Sequence, residues 1–192
     1  MNNFRYLMSE TNPGNLGESL AEIVFVGRSN VGKSSLLNAL CGRVLARVSR
    51  TPGRTQTINV FSDQHGRWLV DLPGYGFAKA PPSVREAWGP MIKTYLKGRQ
   101  TLRMAYCLVD ATVGPTPLDH AMHRWLVDWG IPWRVIATKA DQIKGSQIPR
   151  QKRSIAEAVG LSPDGLAWVS ARNGSGMEEL RAEVRSVLSG AG

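Results

Sequence analysis

"GRSNVGKSS", residues 27 to 35, follows the apolar run "EIVFV" and precedes "LLNALCG". Gly27, Gly32, Lys33 and Ser34 match G-x-x-x-x-G-K-[ST] in full, between a strand pattern and a helix pattern. Such a loop wraps a phosphate in backbone N–H groups at a helix N-terminus, where the partial positive charge of the unpaired amides favours an anion. Across Gly27, Arg28, Ser29, Asn30, Val31 and Gly32 the backbone is expected to cradle a β-phosphate. Lys33 is expected to reach the β- and γ-phosphates, and the Ser34 hydroxyl to ligate Mg²⁺. The loop alone admits ATPases, nucleotide kinases and GTPases.

Around the loop, short apolar runs alternate with stretches of helical period. Strands are expected at 23–26, 57–61, 68–71, 102–110, 133–138 and 166–169, and helices at 33–41, 83–97, 118–129, 149–159 and 177–188. This alternation predicts an α/β, three-layer fold with a six-stranded, mostly parallel sheet covered on both faces. At 192 residues the chain is most economically one domain, residues 21–192, behind an extended N-terminal extension, residues 1–20, that wraps part of it.

Three later stretches separate the nucleotide classes. "WLVDLPG" ends a strand in Asp71 and supplies D-x-x-G through Leu72, Pro73 and Gly74. Asp71 is expected to hold Mg²⁺ through water and the Gly74 N–H to sense a γ-phosphate. "VIATKAD" ends another strand in Thr138, Lys139, Ala140 and Asp141. A carboxylate there accepts from both N1–H and the 2-amino group of guanine, whereas adenine leaves it unpaired. "WVSAR" places Val169, Ser170 and Ala171 after the last strand, where the Ser170 and Ala171 N–H groups can meet guanine O6. In this order, each at a strand end, these point to a GTPase. A mobile segment carrying a Mg²⁺-seeking threonine is expected between loop and Asp71, in "SRTPGRTQTINVF", where Thr51, Thr55 and Thr57 all qualify.

Taken together, "GRSNVGKSSLLNAL", "TPGRTQT", "DLPGYGFA", "TKAD" and the "SA" after a strand resemble the EngB-type ribosome-biogenesis GTPases of the TrmE–Era–EngA–EngB group. The resemblance runs from Ala21 to the C-terminus. It implies that Thr55 is the switch ligand of Mg²⁺, partnered by Ser34, within a nucleotide-contacting stretch of Gly53, Arg54, Thr55, Gln56 and Thr57. Lys33, Thr55 and Gly74 then carry catalysis. It also implies a role in large-subunit assembly linked to septation and cell division. Asn30 matches the P-loop position at which members of the wider group hold K⁺.

Two positions depart from a generic GTPase. Tyr75 stands where many carry a water-orienting glutamine, so unassisted hydrolysis is expected to be slow. Thr138 replaces the asparagine that usually heads the base motif; it keeps a hydroxyl and loses a carboxamide, which predicts modest base affinity. No arginine is identifiable as a finger, although Arg50 and Arg54 are candidates.

A formal charge of +9 favours polyanionic partners, nucleic acid ahead of an anionic membrane, and the family resemblance implies that this nucleic acid is ribosomal RNA in the large subunit. Basic residues are densest at 43–54, 93–103 and 144–153. Cys41 and Cys107 have no metal-ligand spacing and read as buried reduced thiols. "MNNFRYLMSETNPGNLGESL" lacks a signal-peptide pattern, and no run approaches the ~20 apolar residues of a span, so a cytoplasmic, monomeric protein is expected. His120 and His123 are expected on an exposed polar face, and Trp125, Trp129 and Trp133 in helix–sheet core.

Overall fold

The structure, a computed structural model, describes residues 1, 3–46, 57–76 and 82–190, with side chains of the helix at 82–98 described from residue 89 onward. Its strands are β1 (Arg5–Glu10), β2 (Ala21–Gly27), β3 (Ile58–Ser62), β4 (Arg67–Asp71), β5 (Leu102–Asp110), β6 (Trp133–Thr138) and β7 (Leu166–Trp168). Its α-helices are α1 (Lys33–Cys41), α2 (Pro82–Gly98), α3 (Pro117–Asp128), α4 (Ile148–Ala158) and α5 (Met177–Ser189). They lie within a residue or two of the expected boundaries.

The sheet has seven strands, in the order β1-β3-β4-β2-β5-β6-β7, where six were expected. β1 is the additional strand: the N-terminal segment runs extended, as expected, but pairs antiparallel with β3 from Arg5 opposite Ser62 to Glu10 opposite Ile58. Its burial is slight, with no fully buried position, so "RYLMSE" lacks the apolar alternation that marks a half-buried strand. β4, β2, β5, β6 and β7 are mutually parallel. Parallel strands need crossover connections, and the helices of these crossovers cover both faces.

Alternation along β2 shows how the two cores are divided. Val24 and Val26 join Val60, Val70, Leu96, Met122, Leu126 and Ile155 on one face. Ile23 and Phe25 join Leu36, Leu37, Leu40, Leu180 and Val184 on the other. Every residue of β2 is buried, so the strand that carries the P-loop is the sheet's most enclosed. Full burial of one such aliphatic side chain is worth about 1.5–3 kcal/mol.

At the opposite end from the P-loop, fully buried Glu22 accepts from the Tyr95 hydroxyl at 2.6 Å, Ser19 at 2.5 Å, Thr101 at 3.0 Å and the Arg99 guanidinium. Burial pushes the Glu22 carboxyl up, but the bonds from Arg99, Ser19 and Tyr95 outweigh it and hold the pKa below the usual value. This network fastens the end of α2 to the start of β2.

Cys41 and Cys107 are buried and free, as expected. Trp125, Trp129 and Trp133 pack half-buried against the core. Trp125 and Trp129 stack at 5.9 Å, with the Lys93 and Lys97 ammoniums 4.4 and 5.2 Å from their respective ring centroids. His123 corrects one expectation: it is half-buried, its ring edge-on to Trp133 at 3.7 Å, because α3 turns it towards the apolar sheet. Among the described residues no cluster of three His, Cys, Asp or Glu could hold a metal, and no helix is long and apolar enough to cross a membrane.

Candidate functional site

The P-loop takes in Gly27, the last residue of β2, and the five positions 28–32 that lead to the start of α1. Asn30 and Gly32 adopt left-handed backbone, φ 65° and 104°. Gly27 leaves little room for a side chain, since a Cβ there would meet the Leu108 carbonyl oxygen and Val31 Cγ1 at 3.0 Å. Gly32 caps α1 without a side-chain hydrogen bond, so no side-chain cap competes with an anion for the amides of the first turn. Lys33 folds back and donates to the Gly27 carbonyl at 3.1 Å. Burial lowers its pKa, opposed by the nearby Asp71 carboxylate. Ser34 is half-buried in the same first turn.

Asp71 ends β4, two per cent exposed, with Oδ1 buried and without a hydrogen-bond partner among the described residues. Burial raises its carboxyl pKa to about 6, with Lys33 opposing. An orphaned anionic oxygen in a dry setting is costly, and a divalent cation is the kind of group that relieves it. Ser34 and Asp71 therefore supply a hydroxyl and a carboxylate whose chemistry suits a divalent cation.

Gly74 lies directly on the P-loop. A Cβ at this position would fall 2.9 Å from the Ser29 backbone and 3.0 Å from Lys33 Nζ, so only glycine fits. The Ser29 N–H donates to the Tyr75 carbonyl at 3.0 Å and its hydroxyl to the Gly74 carbonyl at 3.1 Å. Leu72 donates to Phe25 at 3.2 Å, continuing the β2–β4 pairing beyond Asp71. The Tyr75 hydroxyl points elsewhere, donating to Asp119 Oδ1 at 2.8 Å.

The base motif is built at the ends of β6 and β7. Thr138 lines the pocket, and its hydroxyl lies 2.7 Å from the Val31 carbonyl and 3.2 Å from that of Val109, so it also braces the P-loop. Lys139, left-handed at φ 59°, pairs with Asp110 at 2.6 Å. The Ala140 N–H holds the Val169 carbonyl at 3.1 Å. Asp141 Oδ1 accepts from the Ser170 hydroxyl at 2.6 Å, which aims the carboxylate, and exposed Arg172 stands 3.9 Å from Oδ2. Ser170 commits its own N–H to the Ser175 carbonyl at 2.9 Å, which leaves the guanine O6 role expected of the pair to Ala171. Gly32, Thr138, Lys139, Asp141, Val169 and Ala171 line one pocket of about 210 Å³.

Thr57, the one switch candidate that is described, donates to Asn59 at 3.2 Å, at the head of β3. Arg50, Thr51, Gly53, Arg54, Thr55 and Gln56 lie outside the described residues. Asp110, Asp119 and Arg172 belong to the site's framework and were not singled out from sequence. The signal for Asp110 was a strand ending in "VDAT".

The sequence model described as "50S ribosome-binding GTPase" matches residues 22–139. GTP-binding protein EngB of Geobacter sulfurreducens is 45% identical over 170 residues, covering 88% of this chain and 82% of that protein. EngB of Desulforamulus reducens is 45% identical over 179 residues, 91% and 87% of the two chains. The chain belongs to the EngB family of GTP-binding proteins. This EngB-family chain is a GTPase, and its fold is that of its relatives. A crystal structure of an engB GTP-binding protein superposes with TM-score 0.74 at 27% identity, over 88% of this chain and 99% of the other. Era, solved with MgGDPNP and nucleotides 1506–1542 of 16S ribosomal RNA, has TM-score 0.69 at 22% identity, over 90% and 58%, a likeness of fold alone.

Proposed function

We propose that this GTPase is a Mg²⁺-dependent switch in assembly of the large ribosomal subunit, linked to normal cell division and septation, and that it works as a cytoplasmic monomer. The observation that carries the nucleotide part is the Asp141 carboxylate, aimed by Ser170 across a pocket whose floor is Gly32 of the P-loop. One wall reads guanine while the other meets phosphate. The ribosomal part is supported by the printed description of the matching family and by the +9 charge, which suits ribosomal RNA.

In this reading Ser34 and Thr55 ligate Mg²⁺, and Asp71 holds it through water. When bound there, Mg²⁺ would supply neutralisation of phosphate charge. Lys33 leaves the Gly27 carbonyl for the phosphates, and the Gly74 N–H meets the γ-phosphate. Gly53, Arg54, Thr55, Gln56 and Thr57 would contact the nucleotide, and Asn30 would hold K⁺. Catalysis of in-line water attack is then mainly positioning and charge neutralisation.

Depletion of the protein in its host tests the assembly role. Gradient profiles should lose mature large subunits and gain lighter precursors. Wild-type protein should restore the profile and the Asp141→Asn variant should not. A normal profile with blocked septation would instead mark a structural role in division.

A further inference from the structure

Tyr75 joins two parts of the molecule. Its ring is half-buried against the apolar core on one face of the sheet. Its hydroxyl ends on Asp119 Oδ1, 2.8 Å away. Asp119 is itself fixed: nine per cent exposed at the third position of α3, it accepts from the Thr116 N–H at 2.8 Å and the Thr116 hydroxyl at 2.7 Å through Oδ2. Both carboxylate oxygens are therefore engaged, and the acceptor cannot follow the tyrosine if it moves.

At its other end, Tyr75 continues the turn that touches the P-loop. Ser29 bonds the Gly74 and Tyr75 carbonyls, and Gly74 has no room for a Cβ beside Lys33. A residue anchored by its side chain to a capped helix and by its backbone to the phosphate loop acts as a strut for the peptide between them.

We propose that Tyr75, anchored on Asp119, is a positioning residue for GTP hydrolysis that fixes the Gly74 peptide against Lys33 and Ser29. The side chain itself does not reach the reacting atoms. It substitutes preorganisation of the turn for the direct water contact of a glutamine, and transition-state stabilisation depends on such fixed dipoles. Burial and the Asp119 carboxylate push the Tyr75 pKa well above its ordinary value, so the hydroxyl remains a donor across the working range. The inference rests on the Mg²⁺-dependent hydrolysis described above, and a wild-type rate measured alongside separates failure of that reading from failure of this one.

Tyr75→Phe removes the hydroxyl alone. Single-turnover GTP hydrolysis should slow about tenfold, the worth of one hydrogen bond to a carboxylate, while the Kd for a fluorescent GDP stays within about twofold. Because Phe leaves Asp119 Oδ1 unpartnered, Tyr95→Phe serves as the control: it likewise takes a tyrosine hydroxyl from a buried carboxylate, Glu22 at 2.6 Å, but at the opposite end from the P-loop, and it should lower Tm without altering the hydrolysis rate. An unchanged rate in Tyr75→Phe overturns the proposal. So does a Tyr95→Phe variant slowed to the same extent, or a Tyr75→Phe variant whose GDP affinity falls together with its rate.

Discussion

The Thr138 hydroxyl lies 2.7 Å from the Val31 carbonyl oxygen, across 107 positions of sequence, and joins the base motif to the middle of the P-loop. The bond makes the phosphate and base subsites one rigid unit. Thr138→Val should therefore weaken GDP and a GTP analogue alike, by about 1–2 kcal/mol, while preserving the preference for guanine. Displacement of fluorescent GDP by GDP, the analogue and ATP measures all three. A selective loss of guanine preference would place Thr138 on the base instead.

Asp141→Asn replaces an acceptor with a donor opposite the purine 2-position. GTP binding should weaken by about 2–3 kcal/mol and xanthine nucleotides should gain, since their 2-oxo group needs a donor. Ser170→Ala should weaken GTP less, because the carboxylate survives and only its aim, set by the 2.6 Å bond, is lost. Competition by ATP, GTP and XTP against labelled GDP reads both variants.

Thr55→Ala tests the switch threonine. GDP affinity should remain within about twofold while Mg²⁺-dependent affinity for a non-hydrolysable GTP analogue falls and turnover slows. Equal weakening of both ligands would remove Thr55 from γ-phosphate sensing.

Asn30 carries the potassium prediction. Turnover should be faster in KCl than in NaCl at equal ionic strength, because a cation at this position adds charge to the transition state. Asn30 is left-handed, φ 65°, so Asn30→Gly keeps the backbone and removes only the carboxamide. That variant should hydrolyse GTP at one rate in both salts.

Glu22 governs stability far from the site. Glu22→Ala strands Arg99 and should cost about 3 kcal/mol, the low end for a broken buried pair. The folded-state pKa of Glu22 is depressed, so its contribution is present above the ordinary carboxylate range and is lost as pH falls through the folded value. The denaturant stabilities of wild type and variant should therefore begin to draw together as pH falls below the ordinary carboxylate value of about 4.3, where the unfolded chain binds the proton first.

Most of this arrangement was legible because it is local. The P-loop, D-x-x-G and T-K-x-D stretches each follow an apolar strand, and their order identifies the fold. What stayed hidden depends on contacts distant in sequence. β1 buries too little to show a period and exists because β3 offers it an edge. Thr138 looked like a weakened base ligand because its carbonyl partners come from other strands and loops. Tyr75 looked like a missing glutamine, and its hydroxyl finds its partner 44 positions on, at the cap of α3.

Co-sedimentation with separated ribosomal subunits, in GDP and in a GTP analogue across a salt series, tests the central claim most directly. The GTP-analogue form should prefer the large subunit about 5- to 150-fold over the GDP form, the span of a coupling of roughly 1–3 kcal/mol. Binding should also fall with salt on a log–log slope of several units, as phosphate contacts release counterions. Arg50→Ala and Arg54→Ala should reduce both slope and coupling. Binding that is indifferent to nucleotide, or equal for the two subunits, would contradict the account.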